Sequence, residues 1–171
     1  MTRRLLSTFV AALALATAAP ALAQAQPQAA TQSAAAIGLD ISAVSAWITS
    51  KGGVVSEIQR QQGETFVTVR DGDVTWMLFF YGCTGDVCTD IQYSAVFSNA
   101  GITVDKVNAW NQGQRFLKAA FFAPAAAGGL PSTVVQYDLL LQPGSVEQLN
   151  DPTAVWVGMV SQFAQHVGYF E

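Results

Sequence analysis

Apolar and polar positions change period several times along this chain. Ile41, Val44, Trp47 and Ile48 recur at three- and four-residue spacing, which predicts an amphipathic helix from an Asp40 N-cap to about Lys51, ended by Gly52 and Gly53. Alternation then takes over and predicts strands at 54–60, 64–70 and 73–82, with Asp71-Gly72 as a two-residue hairpin turn between the last two, and a fourth strand at 89–97. Helical spacing returns at 103–112, capped by Thr103 and stopped by Gly113. Strands at 115–122 and 133–141 follow. A turn from Ser145 leads to a last helix that starts at Asp151-Pro152 and carries Val155, Met159, Phe163, Val167 and Phe170 on one arc. The order αββββαββα, with mostly short connections, predicts an α+β domain: a single antiparallel sheet of about six strands with helices packed on it.

Two hairpins agree on which face is buried. With Cys83 opposite Cys88, Phe80 pairs with Ile91, Leu78 with Tyr93, Trp76 with Ala95 and Val74 with Phe97, all on one face. The Asp71-Gly72 hairpin is expected to pair Val69 with Val74 and Val67 with Trp76, on that same face. A slip of one residue would invert the whole set, so the agreement is informative. The helices are expected on this side. The opposite face carries Phe66, Met77, Phe79 and Tyr81, and is either covered by the first or last helix or left as a dimer or ligand surface.

The first residues change the compartment. Arg3 and Arg4, an apolar run from Leu5 and Ala21-Leu22-Ala23 before Gln24 form a basic, an apolar and an A-x-A region. Residues 1–23 are thus expected to be a secretory signal peptide cleaved after Ala23; a single-pass anchor is disfavoured because the run is short and breaks at Pro20. Residues 24–36, rich in Ala and Gln, read as a flexible spacer, and residues 37–171 as the folded domain. The expected location is the periplasm or the exterior, with no stable membrane anchor after cleavage. Loss of Arg3 and Arg4 leaves six basic side chains against twelve acidic ones, a formal charge of −6. That balance, without a basic cluster, argues against nucleic acid and anionic membranes.

Little else in the chain looks like chemistry. Cys83 and Cys88 are the only cysteines, five positions apart across "TGDV". Directly opposed residues of an antiparallel pair lie within disulfide range, and an exported chain meets an oxidising compartment, so a structural disulfide is the leading reading. A redox dithiol is the alternative: C-x-x-C at a helix N-terminus is its usual setting, whereas this is C-x₄-C in a hairpin. A metal site would need two further ligands, and the only histidine, His166, lies far along the last helix, where a boundary role is expected. Asn108, Trp110, Asn111 and Arg115 form a second feature. Two asparagines in a short helix imply partners for their amides, either backbone groups nearby or a ligand in a small polar pocket. No G-x-S-x-G, G-x-x-x-x-G-K or H-E-x-x-H occurs, so no catalytic residue, metal or cofactor is expected.

These blocks carry a resemblance. "FFYGCTGDVCTDIQYSAVF" (79–97) followed by "VNAWNQGQRFLKA" (107–119) resembles the YbjN family, described as bacterial sensory transduction regulators. The matching positions are Cys83, Cys88, Asn108, Trp110, Asn111, Arg115 and Phe116, within a likeness that extends over most of 40–170. The resemblance implies the small α/β fold of type III secretion chaperones, domains that commonly dimerise, and no established enzyme activity. With its leader the chain resembles the exported members, to which a cytoplasmic regulatory role does not transfer. The expected function is a non-enzymatic periplasmic binding or chaperone-like module, linked to envelope stress or signalling, with a protein or peptide partner or a second copy of itself. Its rivals are a thiol–disulfide redox protein using Cys83 and Cys88, and an envelope-stability protein without a small ligand.

Overall fold

Asp40 starts the first helix as its spacing requires. Its carboxylate accepts hydrogen bonds from the backbone N–H of Ser42 (2.9 Å) and Ala43 (3.1 Å) and from the Ser42 hydroxyl, satisfying donors that the first turn leaves free. In the computed structural model, which describes residues 37–170, the order is β1 (Leu39–Asp40), α1 (Ile41–Ser50), β2 (Val54–Val55), β3 (Gln59–Gln61), β4 (Glu64–Asp71), β5 (Val74–Tyr81), β6 (Val87–Cys88) and β7 (Asp90–Ser98). Then come α2 (Val104–Gly113), β8 (Lys118–Phe122), β9 (Ser132–Leu140), a 3-10 turn (Val146–Leu149) and α3 (Asn150–His166). The expected leader and spacer, 1–36, lie outside the described residues.

The class is α+β, with a larger and more interrupted sheet than the alternation predicts. Seven antiparallel strands run in the order β2-β4-β5-β7-β9-β8, with β3 also paired to β4, and a separate two-stranded ladder joins β1 to β6. The strand expected at 54–60 is broken. Val55 pairs with Val69, whereas Gln59 pairs with Phe66, so one extra residue enters between them. Ser56 sits at this bulge, donating its N–H to the Thr68 carbonyl and accepting the Thr68 N–H on its hydroxyl, both at 2.9 Å.

Register holds in one hairpin and moves in the other. Leu78 pairs with Tyr93 and Phe80 with Ile91, as the Cys83–Cys88 alignment requires. In the β4–β5 hairpin, Val69 pairs with Trp76 and Val67 with Leu78, two residues from the expected pairing. The turn is Gly72-Asp73, closed by Asp71 and Val74, because Gly72 (φ 59°) takes the first loop position, where a type II′ turn needs positive φ. A shift of two preserves parity, so the buried face is the one expected.

That face holds Val67, Val69, Val74, Trp76, Leu78, Phe80, Ile91, Tyr93, Ala95 and Phe97, packed beneath α1 and α3. Trp76, Tyr93 and Trp156 form its centre, with ring centroids 5.6–6.0 Å apart. Trp156 also shows where the α3 arc was misphased. The buried stripe is Trp156, Val160, Phe163, Ala164 and Val167, while Val155, Met159 and Phe170 are only partly covered. The indole turns α3 toward Trp76, a preference that spacing alone does not reveal.

The Ser42 hydroxyl, followed by the backbone donors, holds the Asp40 carboxyl below its ordinary value of 3.8. Its contribution to stability is therefore present above 3.8 and disappears as pH falls through the lowered folded value. Asp40→Ala is expected to lose about 1 kcal/mol in denaturant unfolding at neutral pH. The difference from wild type should close in acid.

Candidate functional site

The sheet has two unlike faces. Among the described residues, the three helices pack on the core side or on the β8 edge, and none covers the other side. There Phe66 and Phe79 meet across β4 and β5 with centroids 5.2 Å apart, and Tyr81 stacks on Phe79 at 6.3 Å. Met77 extends this half-buried ridge. The four residues expected to form an interaction face are thus brought together, and the first or last helix does not cover them.

Residues the alternation had not singled out enlarge this face. Val96, Phe122 and Leu140 are 52%, 50% and 72% exposed on it. A polar ladder crosses the same face: Gln136 Nε2 donates to Gln92 Oε1 at 2.8 Å, and Gln92 Nε2 donates to Asp138 Oδ1 at 2.7 Å. The clue was in "TVVQYDLLL", where Val134, Gln136, Asp138 and Leu140 share one parity, but it needed the β7–β9 register to be read. Burial, reinforced by the charges of Glu64 and Asp138, raises the Tyr81 pKa above its ordinary 10.0, so the ridge keeps a neutral hydroxyl at its end.

The Asn/Trp/Arg group divides into two kinds of residue. Trp110 is buried, donates Nε1–H to the Leu117 carbonyl at 3.1 Å and packs edge-on against Phe163 at 5.0 Å. Asn111 pairs with β8 as a strand would. Its amide donates to the Ala119 carbonyl and accepts the Ala119 N–H, both at 2.8 Å. Lys118 closes the end of the same helix by donating to the Asn111 carbonyl at 2.8 Å and to that of Gln114. Asn108 and Arg115 are exposed; Arg115 lies 5.2 Å from the Phe116 ring, at a shallow surface hollow shared with Gln136 and Asp138. The four residues therefore do not converge on one pocket. His166 donates from Nε2 to the Lys106 carbonyl at 2.8 Å and ties α3 to α2.

Cys83 and Cys88 form a disulfide with Cα atoms 3.9 Å apart. Thr84 and Val87, one step nearer the turn, exchange both backbone hydrogen bonds, at 2.9 and 3.3 Å, so the cysteines occupy the adjoining non-hydrogen-bonded position where side chains lie closest. The tip also carries the start of the fold. Leu39 and Asp40 pair with Cys88 and Val87, the Ile41 N–H reaches the Asp86 carbonyl at 3.0 Å, and Arg60 forms an ion pair with the Asp86 carboxylate. No group of three or more His, Cys, Asp or Glu side chains among the described residues is placed to hold a metal, and no described helix is long and apolar enough to cross a membrane.

A family model for YbjN, "Putative bacterial sensory transduction regulator", matches residues 40–168, spanning the sheet, the disulfide tip and all three helices. The chain belongs to the YbjN family. Among solved structures it is similar to the crystal structure of YbjN, "a putative transcription regulator from E. coli", at 16% sequence identity and a TM-score of 0.42, over 71% of this chain and 81% of that one. No curated protein matches the chain.

Two variants separate the asparagines. Asn111→Ala removes both bonds to Ala119 and is expected to lower unfolding free energy by about 1–3 kcal/mol, whereas Asn108→Ala should stay within about 0.5 kcal/mol of wild type in the same urea titration. Reducing the disulfide reopens a six-residue loop and should lower stability by about 2 kcal/mol. The first amide to lose hydrogen-exchange protection should be that of Ile41, which depends on the tip.

Proposed function

We propose that this protein is a non-enzymatic periplasmic binding module, chaperone-like in holding an apolar segment of a partner protein against the open face of its sheet. The observation that carries the reading is the sheet face that no helix among the described residues covers, with its Phe66, Met77, Phe79 and Tyr81 ridge and exposed Val96, Phe122 and Leu140. Apolar surface of this kind, crossed by the Gln92–Asp138 ladder, has the make-up of a protein contact site, with polar groups among the apolar ones to set orientation. The periplasmic location rests on the leader pattern of residues 1–23. Membership of a family described in terms of sensory transduction supports a protein that works by contact.

Wild-type protein is expected to bind a hydrophobic dye and an unfolded, reduced polypeptide saturably, and Met77→Lys with Phe79→Lys to weaken both by tenfold or more while leaving far-ultraviolet circular dichroism intact. A wild type that binds neither, and is monomeric by light scattering, overturns the reading.

A further inference from the structure

The open face of the sheet carries its charge unevenly along the strands. At one end, Tyr81, Asp90 and Leu140 stand opposite one another on β5, β7 and β9, and Phe79, Gln92 and Asp138 form the next row. Glu64 lies beside Tyr81 on β4, one position beyond the Thr65–Phe80 pair. After burial, the charges of Glu64 and Asp138 raise the Tyr81 pKa, which places both carboxylates within electrostatic reach of its hydroxyl. A hollow of about 310 Å³ opens in this corner, lined by Tyr81, Asp90, Ile91, Asp138, Leu139 and Leu140.

Two carboxylates and a phenol meet there, and no basic side chain lines the hollow. Asp90 accepts the Thr89 hydroxyl on Oδ2 at 2.6 Å, and Asp138 accepts the Gln92 amide on Oδ1 at 2.7 Å. Their other oxygens have no donor, and neither residue forms an ion pair, among the described residues. The cations of the neighbouring elements are directed elsewhere. The Lys118 ammonium donates to the Asn111 and Gln114 carbonyls at the end of α2, and Arg60 pairs with Asp86. Arg115 lies against the Phe116 ring in a separate hollow that reaches Asp138 from the β8 side. Arg70 stands opposite Thr75, at the far end of β4 from Glu64. The corner therefore presents negative charge with unused acceptors. The apolar ridge begins one row away, because alternate residues of a strand are about 7 Å apart, which separates the level of Tyr81 from that of Phe79, and Phe79 from Met77.

We propose that the hollow at Tyr81 receives an arginine or lysine side chain of the bound segment, so that the open face selects segments in which a basic residue adjoins an apolar stretch. The inference rests on the reading of this face as a contact site for an apolar segment, and specifies which segments it accepts. The charged head donates to the free oxygens of Asp90 and Asp138, bonds that are stronger than neutral ones because both partners are charged. Its aliphatic stem lies between the Tyr81 ring and Leu140, which is 72% exposed. The apolar neighbours of that residue then fall on Phe79, Phe66 and Met77. An acidic residue in the same place would meet like charge, so the corner rejects as well as selects.

The test is fluorescence anisotropy with two labelled peptides that share the apolar body Leu-Phe-Val-Leu. They differ at one adjoining residue, arginine in one and its uncharged isostere citrulline in the other. Wild-type protein is expected to bind the arginine peptide about tenfold more tightly at low salt, and about 1 M salt should shrink the difference. Asp90→Asn combined with Asp138→Asn should abolish the arginine advantage and bind the citrulline peptide as wild type does; each substitution alone should reduce the advantage about threefold. Asp105→Asn, the same change of charge at an exposed position of α2, should keep the full advantage. Equal binding of the two peptides by wild type overturns the inference, as does an advantage that survives in the double variant or is lost equally in Asp105→Asn. In each of these cases the citrulline peptide is still bound and the reading of the face stands. Binding of neither peptide overturns both.

Discussion

The pairing of β5 with β7 is the constraint on which the rest of the structure depends. Because successive side chains of a strand point to opposite faces, this one register decides that Trp76, Leu78 and Phe80 go under the helices and that Met77, Phe79 and Tyr81 go to the other side. A slip of one residue would put the Gln92 side on the same face as Trp76, so one of the two strands would turn its apolar side chains away from the helices. The Cys83–Cys88 bond locks the register at the end of the hairpin that carries the N-terminal ladder. The core, the open face and the docking of β1 therefore share one covalent reference point.

The aromatic centre turns that register into a three-dimensional core. Trp76 and Tyr93 stand side by side on adjacent strands, and Trp156 of α3 seats against both. Burial pushes the Tyr93 hydroxyl up to about 12, and its 2.7 Å hydrogen bond with Thr153 fixes the start of α3 over the sheet. A cleft lined by Trp47, Ile48, Val69, Trp76 and Val157 remains between α1 and α3.

What was legible in the sequence was what parity alone decides. The buried face, the class and the disulfide pairing all follow from alternation together with one fixed pair of cysteines. Features that depend on a count rather than a parity were not legible. The Gly72-Asp73 turn moves the β4–β5 pairing by two without changing any face, and the Ser56 bulge needs the neighbouring strand before it can be seen. The same limit applies to the site. Asn108 and Asn111 lie three apart on one helical face, and only the docking of α2 beside β8 makes Asn111 a partner for Ala119 and leaves Asn108 in solvent. Membership of the family was readable from "CTGDVC" and "NAWNQGQRF", because these stretches combine turn, strand and clamp in a few residues.

The Asn111 amide imitates a peptide group, and that imitation affects how the protein meets other chains. At Ala119 the free margin of β8 is already occupied, so an incoming strand cannot extend the sheet there. The opposite margin is divided between β2 and β3 by the Ser56 bulge and presents no continuous row of donors and acceptors. Both margins resist templated growth of the sheet. A neighbouring protein is thereby directed to side chains, whose identity evolution can vary, and away from backbone, which is the same in every chain.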